Sequence, residues 1–219
     1  MNAPAQKAYK GLGMEWMASW YAKTTARDIE AFRKDAQLVA SHTRSGDHVL
    51  EVAPGPGYLA LELARLGRNV SAIDISPAFV KIARDNARAA GVAIDVRLGN
   101  ASDMPFESAR FDFVVCRAAF KNFREPVQAL DEMYRVLREP GAALVIDLRK
   151  DFAANDLDVY LARTTAGFID KLMMKITFNY LLRRRAYSKE QLKTMCAQTK
   201  FIRCEIYEGD IGLQVWLRK

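Results

Sequence analysis

Residues 48 to 57 read His-Val-Leu-Glu-Val-Ala-Pro-Gly-Pro-Gly, a short β-forming run with one acid, followed by two glycines a single residue apart. Val49, Leu50 and Val52 favour a pleated strand, while Gly55 and Gly57 let the backbone approach a ligand with no Cβ in the way. Tyr58 to Leu66 then repeats apolar residues at helical spacing, and Gly67 stands where a left-handed C′ residue would end the helix. A strand that stops at a glycine turn and restarts as a helix places a binding loop at a sheet edge, and the rest of the chain has to supply that sheet.

It does so by alternation. Asn69 to Asp74 reads as a second strand ending in an acid, and Ser76-Pro77 as an N-cap with proline at the first helical position, the helix running to about Ala90 before Gly91. Ala93 to Leu98 and Phe111 to Arg117 follow as strands, Pro126 to Arg138 as an amphipathic helix, and Ala142 to Leu148 as a fifth strand after Pro140-Gly141. Such alternation predicts a mostly parallel sheet with right-handed crossovers. Before it lie two helical stretches, one around Trp16 to Tyr21 and one from Ala26 to Ser41. After it come a long helical stretch over 152–182 rich in Leu, Met, Phe and Tyr, a helix over Ser188 to Thr199, and strands over Phe201 to Tyr207 and Gly212 to Leu217.

The chain of 219 residues fits one α/β domain: 1–44 a helical cap, 45–150 the core, 151–187 a helical insertion or lid, and 188–219 a last helix and two strands. No stretch reaches the roughly 20 apolar residues a bilayer-spanning helix needs, and Met1 to Lys10 lacks the apolar run of a secretion signal. The expectation is a cytoplasmic protein with no membrane partner. Cys116, Cys196 and Cys204 form no C-x-x-C pair and read as reduced thiols, two of them among apolar neighbours and so buried. Histidines and acids do not cluster at ligand spacings, so no metal site is expected.

Gly55-Pro56-Gly57-Tyr58-Leu59-Ala60 satisfies a loose dinucleotide pattern. Together with Glu51 inside the first strand, Asp74 ending the second and Gly99-Asn100-Ala101 after the third, it resembles the class I S-adenosylmethionine-dependent methyltransferases. That resemblance is close over about residues 45 to 150 and looser at the ends. It implies a Rossmann-like sheet of seven strands with helices on both faces, an N-terminal helical lid, and S-adenosyl-L-methionine as cofactor. By resemblance, the turn from Ala53 through Gly55 to Gly57, with Glu51 nearby, contacts the methionine part. Asp74, followed by Ile75, accepts from the ribose hydroxyls, and Asn100 and Ala101 face the adenine. Cys116 or Arg117 offers a main-chain carbonyl to the ammonium. Tyr21 closes over the ligand, and Tyr9, Trp16 and Trp20 are further lid residues. The chain departs from the common pattern at Ala53-Pro54, where glycine often stands first, and at Asn100, where an acid is frequent.

Methyl transfer from a sulfonium is an in-line displacement, so positioning carries most of the catalysis. His42 and His48 fall at the far end of the sheet and offer no base. The cations Arg117, Lys121, Arg124, Arg149 and Lys150 follow the fourth and fifth strands, where the acceptor should sit, with Arg117 and Lys121 as the catalytic candidates. Their charge, and the location of +6 of the net +7 after residue 116, point to a small anionic acceptor: a carboxylate, phosphate or phosphonate methylated on oxygen. Small-molecule N-methylation, RNA methylation and a catalytically silent cofactor-binding protein are the alternatives. Nucleic acid is disfavoured because the fourth strand ends Cys116-Arg117-Ala118-Ala119 with no base-holding signature. Arg183-Arg184-Arg185 reads as a solvated face or an anion clamp, and the sequence is silent on oligomeric state.

Overall fold

The computed structural model describes residues 18–164 and 167–219. Its centre is a seven-stranded sheet in the order β3-β2-β1-β4-β5-β7-β6. The strands are β1 (His48–Val52), β2 (Asn69–Asp74), β3 (Ile94–Leu98), β4 (Phe111–Arg117), β5 (Leu137–Leu148), β6 (Arg203–Glu208) and β7 (Gly212–Arg218). Strands β1 to β5 run parallel. β7 enters antiparallel between β5 and β6, so the last hairpin closes the sheet. Strand order reverses between β1 and β4, and in open α/β sheets ligands lie at the carboxyl ends flanking such a switch.

Alternation along the parallel strands divides the core. Val49, Val70, Phe113 and Leu144 point to one face and pack with Phe32, Ala36 and Val39 of α2 (Ile29–Ala40) and Leu59, Ala60 and Leu63 of α3 (Tyr58–Arg65). On the same face α4 (Pro77–Ala89) sets Val80 and Ala83 against Ala72 and Val96. Leu50, Val52, Val114, Cys116 and Val145 point the other way, toward Leu130 and Met133 of α5 (Pro126–Val136) and Leu192 and Cys196 of α8 (Lys189–Cys196). The α4 start follows the sequence reading: Ser76 Oγ accepts from the Phe79 N–H, Pro77 opens the helix, and Gly91 beyond its end has φ +67°.

Three stretches differ from expectation. The second N-terminal helix begins at Ile29, because Ala26–Asp28 winds as a tighter 3₁₀ turn after α1 (Ala18–Thr25). α5 ends at Val136, and β5 already starts at Leu137, which pairs with Phe111 across a bulge. The stretch 152–182 is not one helix. It breaks into α6 (Ala154–Ala162), α7 (Phe168–Ile176) and a π-helical continuation over Thr177–Leu182. At the start of α6 the Ala153 N–H donates to the Asp156 carboxylate at 2.8 Å. These helices build a small core of their own from Phe152, Leu157 and Leu161 with Leu148, Ala186 and Ile211.

Candidate active site

Four loop tips meet at the carboxyl edge near the switch point. After β1 the chain turns through left-handed conformations at Ala53 (φ +57°), Gly55 (φ +54°) and Gly57 (φ +82°). Gly57 is required twice over, since its φ disfavours a side chain and a Cβ there would stand 3.0 Å from the Ala83 Cβ of α4. Ala53 takes the position where glycine is common and adopts the left-handed conformation regardless, a state that costs an L-residue roughly 1–2 kcal/mol. Ala118, just past the neighbouring β4, does the same at φ +56°. Two strained alanines at adjacent strand tips mark a backbone shaped for something other than stability. Asn86 of α4 donates to the Pro56 carbonyl at 2.9 Å and pins the turn.

Asp74 ends β2 beside this turn and is buried. Its Oδ2 accepts from the Gly55 N–H at 3.0 Å and its Oδ1 from the Ser76 N–H at 2.9 Å. Each oxygen keeps a further lone pair for a hydroxyl donor. Burial pushes its pKa up to about 6, opposed by the backbone N–H groups of Ser76, Gly55 and Ile75. Glu51 is also buried and accepts from the Ala60 N–H in the first turn of α3, while its Oε2 has no hydrogen-bond partner. Burial lifts its pKa to about 8. An orphaned buried carboxylate oxygen, a second carboxylate with spare acceptor capacity and a turn with no Cβ at Gly55 and Gly57 together fit a polar nucleoside ligand. Tyr21 of α1 reaches the turn from above, its Cε1 4.0 Å from where a Gly55 Cβ would lie and its ring edge-on to Phe79 at 5.8 Å. Tyr58 ties α1 down by donating to the Ala22 carbonyl at 3.0 Å.

Asn100 and Ala101 follow β3 at the same edge, but the Asn100 Oδ1 accepts from the Ser102 N–H at 3.0 Å, a local turn that leaves its amide N–H₂ available. Ile75 is half-buried behind Asp74. The Cys116 side chain turns into the core under α5, and burial holds its thiol well above the usual range. Only its main chain can face a ligand.

The acceptor side departs from the picture of free cations. Arg117 donates from Nε to Asp35 of α2 at 2.6 Å, with its guanidinium 4.1 Å above the Phe32 ring. Lys121 is only 5% exposed, and its Nζ donates to Asp147 at 2.7 Å and to the Ala118 carbonyl at 2.5 Å. Asp147 also receives the Lys121 and Leu148 N–H groups, so it organises both strand ends. Arg149 faces Asp156 at 3.3 Å, Glu208 at 3.5 Å and Asp151 at 3.9 Å. Arg124 and Lys150 are exposed. Tyr9 and Trp16 lie outside the described residues, as does the Trp20 side chain.

Sequence reasoning missed Asp35, Asp28 and Tyr160. The carboxyl of Asp28, an exposed residue between α1 and α2, is pushed up by partial desolvation and by Asp35, against the pull of Arg117. The Tyr160 phenol of α6 is pushed up by burial and by Asp28, again opposed by Arg117. Cap, β4 tip and insertion therefore converge around Arg117. No local pattern could reveal this, because the three groups come from distant segments.

Residues 50–146 match the family model of a methyltransferase domain. The chain is 33% identical over 137 residues to a ubiquinone biosynthesis O-methyltransferase of Xanthomonas axonopodis pv. citri, covering 62% of this chain and 56% of that protein. It is 35% identical over 122 residues to a demethylmenaquinone methyltransferase of Symbiobacterium thermophilum, covering 53% and 48%. The chain thus spans about half the length of these curated relatives. Among solved structures, a SAM-dependent methyltransferase from Aquifex aeolicus superposes with TM-score 0.64 at 19% identity, covering 84% of this chain and 89% of that one. The cyclase SpnF superposes with TM-score 0.63 at 21% identity, covering 85% and 80%. At such identities the superpositions speak for the fold alone, whereas the family match falls on the segment that holds Glu51, the glycine turn, Asp74 and Arg117. Residues 50–146 are thus similar to a methyltransferase domain, and the sheet with its loop edge has the fold of solved SAM-dependent methyltransferases.

Proposed function

We propose that the protein transfers the methyl group of S-adenosyl-L-methionine to an oxygen of a small-molecule acceptor. The observation that carries this reading is the pair of buried carboxylates, Glu51 and Asp74, under the left-handed turn, with one oxygen of Glu51 unpartnered. Residues 53–57, Asp74, the Asn100-Ala101 tip and the main chain at Cys116-Arg117 would hold the cofactor. The cofactor itself supplies an electrophilic methyl carbon. The chain's own part is to align the acceptor, exclude water with α1 and Tyr21, and take a proton if the acceptor carries one.

An anionic acceptor was the expectation from the cations after β4 and β5. The ion pairs of Arg117, Lys121 and Arg149 argue for a different emphasis, because an anion would have to displace a carboxylate already in place. A neutral hydroxyl acceptor needs no such exchange, and the matched relatives named for ubiquinone biosynthesis are O-methyltransferases. For a hydroxyl, a carboxylate able to receive the proton is Asp28, exposed at the turn between α1 and α2 and within electrostatic reach of Arg117 and Tyr160.

The test is calorimetric titration with S-adenosylhomocysteine, followed by turnover of labelled cofactor against paired panels of phenolic and carboxylate acceptors, with product masses. Methylated phenols support the reading, and transfer confined to carboxylates or phosphates restores the anionic acceptor. Failure to bind either form of the cofactor rejects both. Asp28→Asn should lower kcat by about 100-fold with little change in KM if Asp28 takes the proton.

A further inference from the structure

α7 and its π-helical continuation are apolar on two sides. Met174, Phe178 and Leu182, four residues apart, face the small core of the insertion. On the outer side Leu172 is 51% exposed, Met173 58%, Ile176 47%, Tyr180 66% and Leu181 54%. Five of the ten large hydrophobic side chains exposed among the described residues therefore fall within ten consecutive positions. A surface helix normally turns polar residues outward, so an outer apolar stripe of this kind marks a contact surface.

The charge around the stripe narrows what that contact is. From Lys171 to Ser188 the sequence has no aspartate or glutamate and carries Lys171, Lys175, Arg183, Arg184 and Arg185. Lys175 pairs with Asp158 of α6. Arg183 lies 4.8 Å over the Phe152 ring and donates to the Lys150 carbonyl, so it braces the insertion. Arg184 is exposed, and Lys171 and Arg185 are half-buried. A second copy of this chain would bring the same cations against one another. Closure over the crevice would use the inner face, which already packs on its own core. An apolar stripe bordered by cations, with a tyrosine among them, is instead the pattern of a helix that lies in a membrane interface.

We propose that α7 and the Thr177–Leu182 turn dock the protein on the surface of an anionic bilayer. Leu172, Met173, Ile176 and Leu181 enter the acyl boundary, Tyr180 sits at headgroup level, and Lys171, Arg184 and Arg185 meet lipid phosphates. Among the described residues no helix is long and apolar enough to cross a membrane, so the contact is peripheral and reversible. It is independent of the proposed methyl transfer.

Co-sedimentation of the full chain with phosphatidylcholine vesicles, with and without phosphatidylglycerol, tests this. Binding should be at least about tenfold stronger to the anionic vesicles and should fall with added salt. Leu172→Gln combined with Leu181→Gln should abolish it, and Arg184→Glu should weaken it about tenfold. All three side chains are exposed, so the variants should keep the parent melting temperature and S-adenosylhomocysteine affinity. Absence of binding to anionic vesicles, or equal binding to both kinds, overturns the proposal. So does a dimer in sedimentation equilibrium that the double variant disperses, which would make the occupant a second copy. Loss of cofactor binding without loss of vesicle binding would sink the methyltransferase reading and leave this one standing.

Discussion

On the β1–β2 side of the crevice, the buried carboxylates of Glu51 and Asp74 have no ion-pair partner among the described residues, and both pKa values rise. On the β4–β5 side, Arg117, Lys121 and Arg149 each lie against a carboxylate from another segment. The first side is left with unmet polar demand that a bound ligand can satisfy, whereas the second has met its own demand and spends its charge on joining elements. Unmet hydrogen bonding is therefore the better guide to a binding surface here, and abundance of cations the poorer one.

Disrupting the self-satisfied side should do the most damage to the fold. Lys121→Met leaves Asp147 buried without its ammonium and should cost about 3–5 kcal/mol in denaturant unfolding. A loss below about 1 kcal/mol would mean the pair is not the structural brace described. On the ligand side the opposite sign is expected. The folded state holds the Glu51 proton more tightly than the unfolded chain does, so this group's effect on ligand-free stability is most favourable below pH 4.5 and worsens as pH rises toward about 8. Glu51→Gln should thus stabilise the ligand-free protein by roughly 3 kcal/mol at pH 7 and hardly at all near pH 4.5, read from melting curves across that range. A gain independent of pH would contradict the burial argument.

Asp74→Asn keeps one acceptor oxygen, sets an NH2 group against the other backbone N–H and loses the charge, and should weaken cofactor binding by about 2 kcal/mol in calorimetry. Arg117→Gln should cost about 1 kcal/mol in stability and raise the acceptor KM, because it loosens α2 from β4 while leaving cofactor affinity alone. A large loss of cofactor affinity in that variant would erase the distinction between the two sides. The smallest effect is expected for Ala53→Gly, which should relieve the left-handed alanine and raise the unfolding free energy by about 1 kcal/mol.

Periodicity and capping made the parallel half of the sheet readable. The glycine turn, Ser76-Pro77 and the acid closing β2 each act through their immediate neighbours, so their roles follow from residue type and spacing. The pairing of Arg117 with Asp35 joins residues 82 positions apart, and that of Lys121 with Asp147 joins residues 26 apart. Such contacts exist only once the helices have packed, and a row of cations after two strands looks the same in sequence whether it is free or neutralised. The insertion was misjudged for a related reason. The richness of 152–182 in Leu, Met, Phe and Tyr suggests one long helix and conceals both the break between α6 and α7 and the fact that two faces of α7 are apolar, since helical spacing shows one stripe at a time.

The left-handed alanine beyond β4 has a consequence for anyone reshaping the proposed acceptor side. Ala118 is followed by residues that wind directly into the buried Lys121 brace. A library randomised there will return mostly glycine, with asparagine and aspartate as the next tolerated types, while valine, isoleucine and threonine drop out through misfolding before selection on substrate begins. Diversity is better spent on α6, around Tyr160, where the backbone sets no such filter.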